Sequence, residues 1–138
     1  MRTDLASDLR ILAGLVASVG LIFVVFYASG LRINTTPSHP IGIYRIVDQE
    51  SAVGLYAMFC APATLEELPE LDPNAPPICT EDHRGRKLLK RIVAIDHAAG
   101  TVTVRGDHPA SIDTRHFGRV QISEIKAVLV PFWVKPFL

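Results

Sequence analysis

From Ile11 to Gly30 the chain reads ILAGLVASVGLIFVVFYASG, twenty residues with neither a charge nor a proline. Coiled as a helix, this run spans about 30 Å, the thickness of a bilayer's hydrocarbon core. A buried helix of a soluble protein is a poor alternative at this length without any polar stripe. Ala28-Ser29-Gly30 resembles a small-x-small cleavage site, so a removable signal peptide is the competing reading. The apolar region of a signal peptide is typically about 7–15 residues, shorter than this one. The expected organisation is a cytoplasmic tail over 1–10, a transmembrane helix over 11–30 and an exported domain over 31–138. Arg2 and Arg10 precede the helix and Arg32 follows it, which mildly favours the tail inside.

The rest of the chain reads as mainly β. Ile41 to Val47 and Leu55 to Cys60 are apolar runs of strand length. Leu88 to Ile95 and Thr101 to Val104, separated by the turn residues Asp96 to Gly100, predict a hairpin. Ile122 to Trp133 supplies a last strand, while Leu31 to Pro40 reads as a polar connection. Pro62 to Pro77 is proline-rich and acidic and reads as a surface loop, with one helical turn allowed by the Thr64/Glu67 capping spacing. Glu81 to Lys87 reads as a solvated turn. The expected fold is therefore a compact β domain with long loops behind one transmembrane helix. With 14 basic and 14 acidic residues, the chain lacks the basic excess of a nucleic-acid binder. Cys60 and Cys79 do not follow a zinc spacing, so no metal is expected. In an oxidising compartment the two could close a loop of about twenty residues; otherwise they are two separate thiols.

Nucleophilic catalysis needs a serine, cysteine or lysine activated by a neighbouring base. The five histidines form no recognisable arrangement, and His39, next to Ser38, should point away from it in an extended chain. A lysine base must be buried among apolar groups, because free lysine is protonated at neutral pH. Period-two alternation along Leu89 to Ile95 puts Lys90 on one face with Ile92 and Ala94, and Arg91 on the other. Spacing alone leaves open that Lys90 only snorkels from a strand edge.

Three stretches, in order, resemble the boxes of type I signal peptidases. Asn34-Thr35-Thr36-Pro37-Ser38-His39-Pro40-Ile41-Gly42-Ile43-Tyr44-Arg45 is similar to the nucleophile box, closest to the TraF-like pilin-processing peptidases of conjugative transfer. Leu88-Leu89-Lys90-Arg91-Ile92-Val93-Ala94 resembles the lysine box, and Gly106 to Gly118 the box usually written G-D-N…S-x-D-S-R. The resemblance implies Ser38 as nucleophile, Lys90 as general base and an acyl-enzyme intermediate. It further implies an oxyanion site from the Ser38 N–H with the Thr36 hydroxyl, Ser111 as the residue that orients the lysine, and Asp113 with Arg115 as its brace. Such a dyad needs no cofactor. His108 and Thr114 depart from the usual asparagine and serine, and the segment from Lys90 to Gly106 is shorter than in most relatives.

The implied substrate is a membrane-associated pre-protein, a pilin precursor foremost, processed at the outer face of a bacterial inner membrane. Ser38 lies eight residues past Gly30, so even a fully extended connection reaches only about 26–29 Å. Phe132 and Trp133 could dip into the bilayer interface or simply pack in a core. The alternatives are a general leader peptidase, a dedicated maturation peptidase for another secreted protein, and a tethered β domain without catalysis that serves binding or assembly.

Overall fold

The computed structural model of the chain describes residues 5–61 and 87–136. The expected helix is present as α1, Leu5–Ala28, none of whose residues is buried; it is long and apolar enough to cross a membrane. It already runs through Leu5 to Arg10, ahead of the uncharged run, because nothing there breaks a helix, and it ends two residues early, where Gly30 turns the chain at φ 77°.

Seven strands follow in a single antiparallel sheet: β1 (Leu31–Asn34), β2 (Gly42–Val47), β3 (Tyr56–Cys60), β4 (Lys87–Asp96), β5 (Thr101–Arg105), β6 (Val120–Gln121) and β7 (Ile125–Val134). Their order across the sheet is β1-β2-β7-β3-β4-β5-β6. A four-residue helix, α2 (Thr114–Phe117), precedes β6, and one 3-10 turn (Ile122–Glu124) leads into β7. The structure is thus that of a mainly β protein with one apolar helix, as expected. It adds β1, where a polar connection was expected, and shortens the last strand at its start. The loop from Pro62 to Pro77, the helical turn allowed within it, Cys79 and most of the Glu81–Lys87 turn lie outside the described residues.

The sheet buries two apolar clusters. One joins Ala57, Phe59, Ile92, Val102, Val104 and Val120; the other joins Tyr44, Tyr56 and Leu129. Lys90 pairs across the ladder with Ala57 and precedes Ile92, so it enters the sheet between core positions. Its expected companion Ala94 is exposed. The β4–β5 register slips between Ile92 and Ala94, and this extra residue breaks the alternation that would have put Ala94 on the lysine's face. Past the bulge, Ile95 rather than Ala94 returns to that face, opposite Val102 and against the Ile92 cluster.

Candidate active site

Ser38 sits in the turn between β1 and β2, and the sequence closes that turn by hydrogen bonds. Asn34 Nδ2 donates to the Thr36 and Pro40 carbonyls at 3.1 and 3.3 Å, and Tyr44 Oη donates to the Pro40 carbonyl at 2.8 Å. The Asn, Pro and Tyr of the nucleophile box therefore act locally, by satisfying the carbonyls of a tight turn. The Ser38 carbonyl is then gripped from outside by Asp107 N–H (2.8 Å), His108 N–H (3.2 Å) and Ser111 Oγ (3.4 Å). Its own N–H is not spent on any described residue, which leaves that donor for a ligand.

Thr36 Oγ1 lies 3.4 Å from Ser38 Oγ but donates its proton to Asn34 Oδ1 at 2.8 Å. An oxyanion role for Thr36 would require that bond to be given up. Lys90 is 4% exposed and forms no hydrogen bond or ion pair with any described residue. Burial pushes its ammonium below the ordinary lysine value, and the carboxylates of Asp113 and Asp107 oppose that only in part. A lowered pKa is the direction a lysine base requires.

The turn after β5 carries the remaining predicted residues. Asp113 is fully buried and accepts from Arg115 Nε and Nη2 (2.9 and 2.8 Å), from Arg115 N–H (3.1 Å) and from Gly106 N–H (3.1 Å). Burial alone would raise its carboxyl, but these donors outweigh it and hold the group at about 2. Asp113 also caps α2, with His116 Nδ1 accepting the Asp113 N–H in return. Thr114, at the position where a serine was the expectation, docks α2 on β5: its hydroxyl donates to the Val104 carbonyl and accepts from the Val104 N–H. Ser111 is buried and reaches the Ser38 carbonyl; no hydrogen bond joins it to Lys90.

A second carboxylate, unassigned by sequence reasoning, organises the other flank. Asp107 accepts Arg91 Nε and Nη2 at 2.8 Å each, Tyr56 Oη at 2.9 Å and His39 Nδ1 at 3.2 Å. Arg91 does leave the face of Lys90, as alternation requires, and ends on Asp107. The Gly106-Asp107 pair is visible in the third box, but Tyr56 gives no signal, because only the ladder pairing Tyr56 with Arg91 brings it here. Cys60, expected as the partner of Cys79, ends β3 opposite Lys87. No group of three or more metal-binding side chains occurs among the described residues.

The β1 edge away from β2 and the Lys87–Lys90 edge of β4 away from β3 are both unpaired among the described residues. A cavity of about 260 Å³ is lined by Ile33 and Thr36 at the β1 end, by Leu88 and Leu89 of β4, and by Tyr44, Met58 and Leu129 from the strands between; neither Ser38 nor Lys90 lines it.

The fold and site together define an antiparallel β protein carrying an apolar N-terminal helix and a buried lysine near a braced serine turn. The chain is 48% identical over 50 residues to a probable conjugal transfer protein TraF of Sinorhizobium fredii (strain NBRC 101917 / NGR234). The match covers 35% of this chain and 26% of that protein, so the chain spans about a quarter of that relative's length. No protein-family model and no solved structure matches the chain.

Proposed function

We propose that this chain is a membrane-anchored serine endopeptidase that removes leader peptides from exported pre-proteins, a pilin precursor of a conjugative system foremost. The observation that carries the reading is Lys90: a buried lysine without a partner among the described residues, held below its ordinary pKa, on the strand beside the loop that grips Ser38. Ser38 Oγ attacks the scissile carbonyl while neutral Lys90 takes its proton; Lys90 then activates the water that releases the acyl-enzyme. The unspent Ser38 N–H faces the developing oxyanion. An extended substrate pairs its main chain with the free edge of β1 or of the Lys87–Lys90 part of β4, next to the cavity that both strands help to line. The role in conjugation draws on the name of the Sinorhizobium relative. The orientation, with the β domain outside the cytoplasmic membrane, draws on the flanking arginines, and a Cys60–Cys79 disulfide fits that compartment.

The test is processing of a membrane-inserted pre-protein with a small-x-small leader junction by the wild type, Ser38→Ala and Lys90→Ala. Each substitution is expected to lower processing by roughly a thousandfold or more. Wild-type activity should rise with pH through the lowered pKa of Lys90, since only the deprotonated amine accepts the proton. Equal processing by all three proteins would sink the dyad.

A further inference from the structure

His39 is fully buried, yet its Nε2 has no hydrogen-bond partner among the described residues. Its other nitrogen, Nδ1, meets Asp107 Oδ2 at 3.2 Å. A carboxylate only accepts, so Nδ1 carries a proton, and the Leu89 main chain, which also approaches the ring, favours its protonation without outweighing burial. Asp107 already has a full positive charge at Arg91 and does not require a second cation. Facing the imidazole are the Asp107 carboxylate, the Tyr56 ring (5.1 Å, edge-on), Lys90 and the Leu89 main chain, with Arg91 beyond Asp107. Burial, with the nearby Lys90 charge, outweighs the Asp107 hydrogen bond and keeps the ring below its ordinary pKa, hence neutral at pH 7.

Asp107 thus holds two consecutive residues by two different groups. Its main-chain N–H fixes the Ser38 carbonyl, and its carboxylate fixes the His39 side chain. One peptide unit, the bond from residue 38 to residue 39, is clamped on both sides. Such a clamp fixes the main chain that carries the Ser38 side chain, and a nucleophile misplaced by about 1 Å costs roughly a hundredfold in rate.

We propose that His39 and Asp107 are a positioning pair for the nucleophile: His39, donating Nδ1–H to Asp107, locks the Ser38–His39 peptide into the reactive geometry. His39 is not the general base; its donor is committed to Asp107, and no hydrogen bond joins it to the Ser38 hydroxyl. The inference rests on Ser38 being the nucleophile.

The experiment uses the full chain in detergent micelles and a pre-protein with a small-x-small leader junction. His39→Leu removes the donor and is expected to lower kcat by about 10–100-fold with KM changed less than about twofold. His39→Asn places an amide N–H near the position of Nδ1 and should restore kcat to within about threefold of wild type. Nitrogen NMR of the imidazole should find the Nδ1–H tautomer in the wild type and in Ser38→Ala alike. Far-UV circular dichroism and thermal melting of the same samples separate positioning from folding. If Ser38→Ala processes normally, the dyad and this inference both fall. If Ser38→Ala is dead and His39→Leu keeps wild-type kcat, the inference alone falls. It falls equally if His39→Asn is as slow as His39→Leu, if the tautomer is Nε2–H, or if the loss merely tracks unfolded protein.

Discussion

On the proposed function, Lys90 is the residue at which stability and function pull apart. An ammonium without partners among the described residues, next to Ile92 in the sheet, is desolvated with little return, and the two nearby carboxylates compensate only partly. Because the folded-state pKa lies below the ordinary value, the unfolded chain binds the proton more readily. The associated stability is fully present only above about pH 10.4, and is lost as pH falls through the folded value. Lys90→Met, nearly equal in volume and uncharged, is therefore expected to abolish processing while raising stability at pH 7 by roughly 0.5–2 kcal/mol. The advantage over wild type should shrink as the pH approaches about 10. Urea denaturation of both proteins at neutral pH and near the lysine's ordinary pKa measures this; a variant less stable than wild type at neutral pH would show that Lys90 supports the fold.

Among the elements, the turn joining β5 to α2 is the one that converts fold into site, and its weak point is Gly106. A Cβ built there would collide with Ser111 Cβ and Oγ, neither of which is the yielding tip of a long side chain. The turn that presents Asp107 N–H and Ser111 Oγ to the Ser38 carbonyl can exist only with glycine at 106. Gly106→Ala should cost about 1–3 kcal/mol in folding through overpacking and lower kcat by about 10–100-fold as that grip shifts. Denaturation together with single-turnover cleavage would check both. The elements themselves were largely legible: the runs around Ile43, Phe59, Ile92 and Val102 are rich enough in β-branched and aromatic residues to read as strands. Leu31-Arg32-Ile33-Asn34 was not, being short and polar at every second position, and it is a strand because β2 pairs with it. The bulge after Ile92 left no mark on a run of apolar residues. At the site, Ser38, Lys90, Ser111 and Asp113 stood out by resemblance and lie in one region. The Asp107 cluster did not, because its partners His39, Tyr56 and Arg91 are 68, 51 and 16 residues away in sequence and meet only through the sheet.

At the scale of the whole molecule, the junction between helix and sheet sets where the site can work. Only Ser29 and Gly30 separate α1 from β1, and both are tied down: Ser29 N–H donates to the Val25 carbonyl, and Ile46 N–H donates to the Gly30 carbonyl, each at 2.9 Å. Arg32 stacks over the Tyr27 ring at 3.8 Å and donates to the Tyr27 carbonyl at 3.1 Å, bolting the first strand back onto the last helical turn. Further along the strands, the exposed Ile33 and Trp133 fall in line through Ile43 across β1, β2 and β7. A helix crossing a bilayer and ending at Ala28 would thus hold Ser38 at a set height above the membrane instead of on a free tether. On the proposed function, that height matches a leader junction emerging from the same membrane and would be useless for a substrate in solution. Inserting a flexible Gly/Ser linker of about six residues between Gly30 and Leu31 should therefore lower processing of a membrane-inserted pre-protein several-fold, by diluting the site over a larger volume. Cleavage of a soluble peptide spanning the same junction should be unchanged, because the β domain itself is untouched. If both substrates were cleaved at wild-type rates, the rigid joint would have no part in substrate selection.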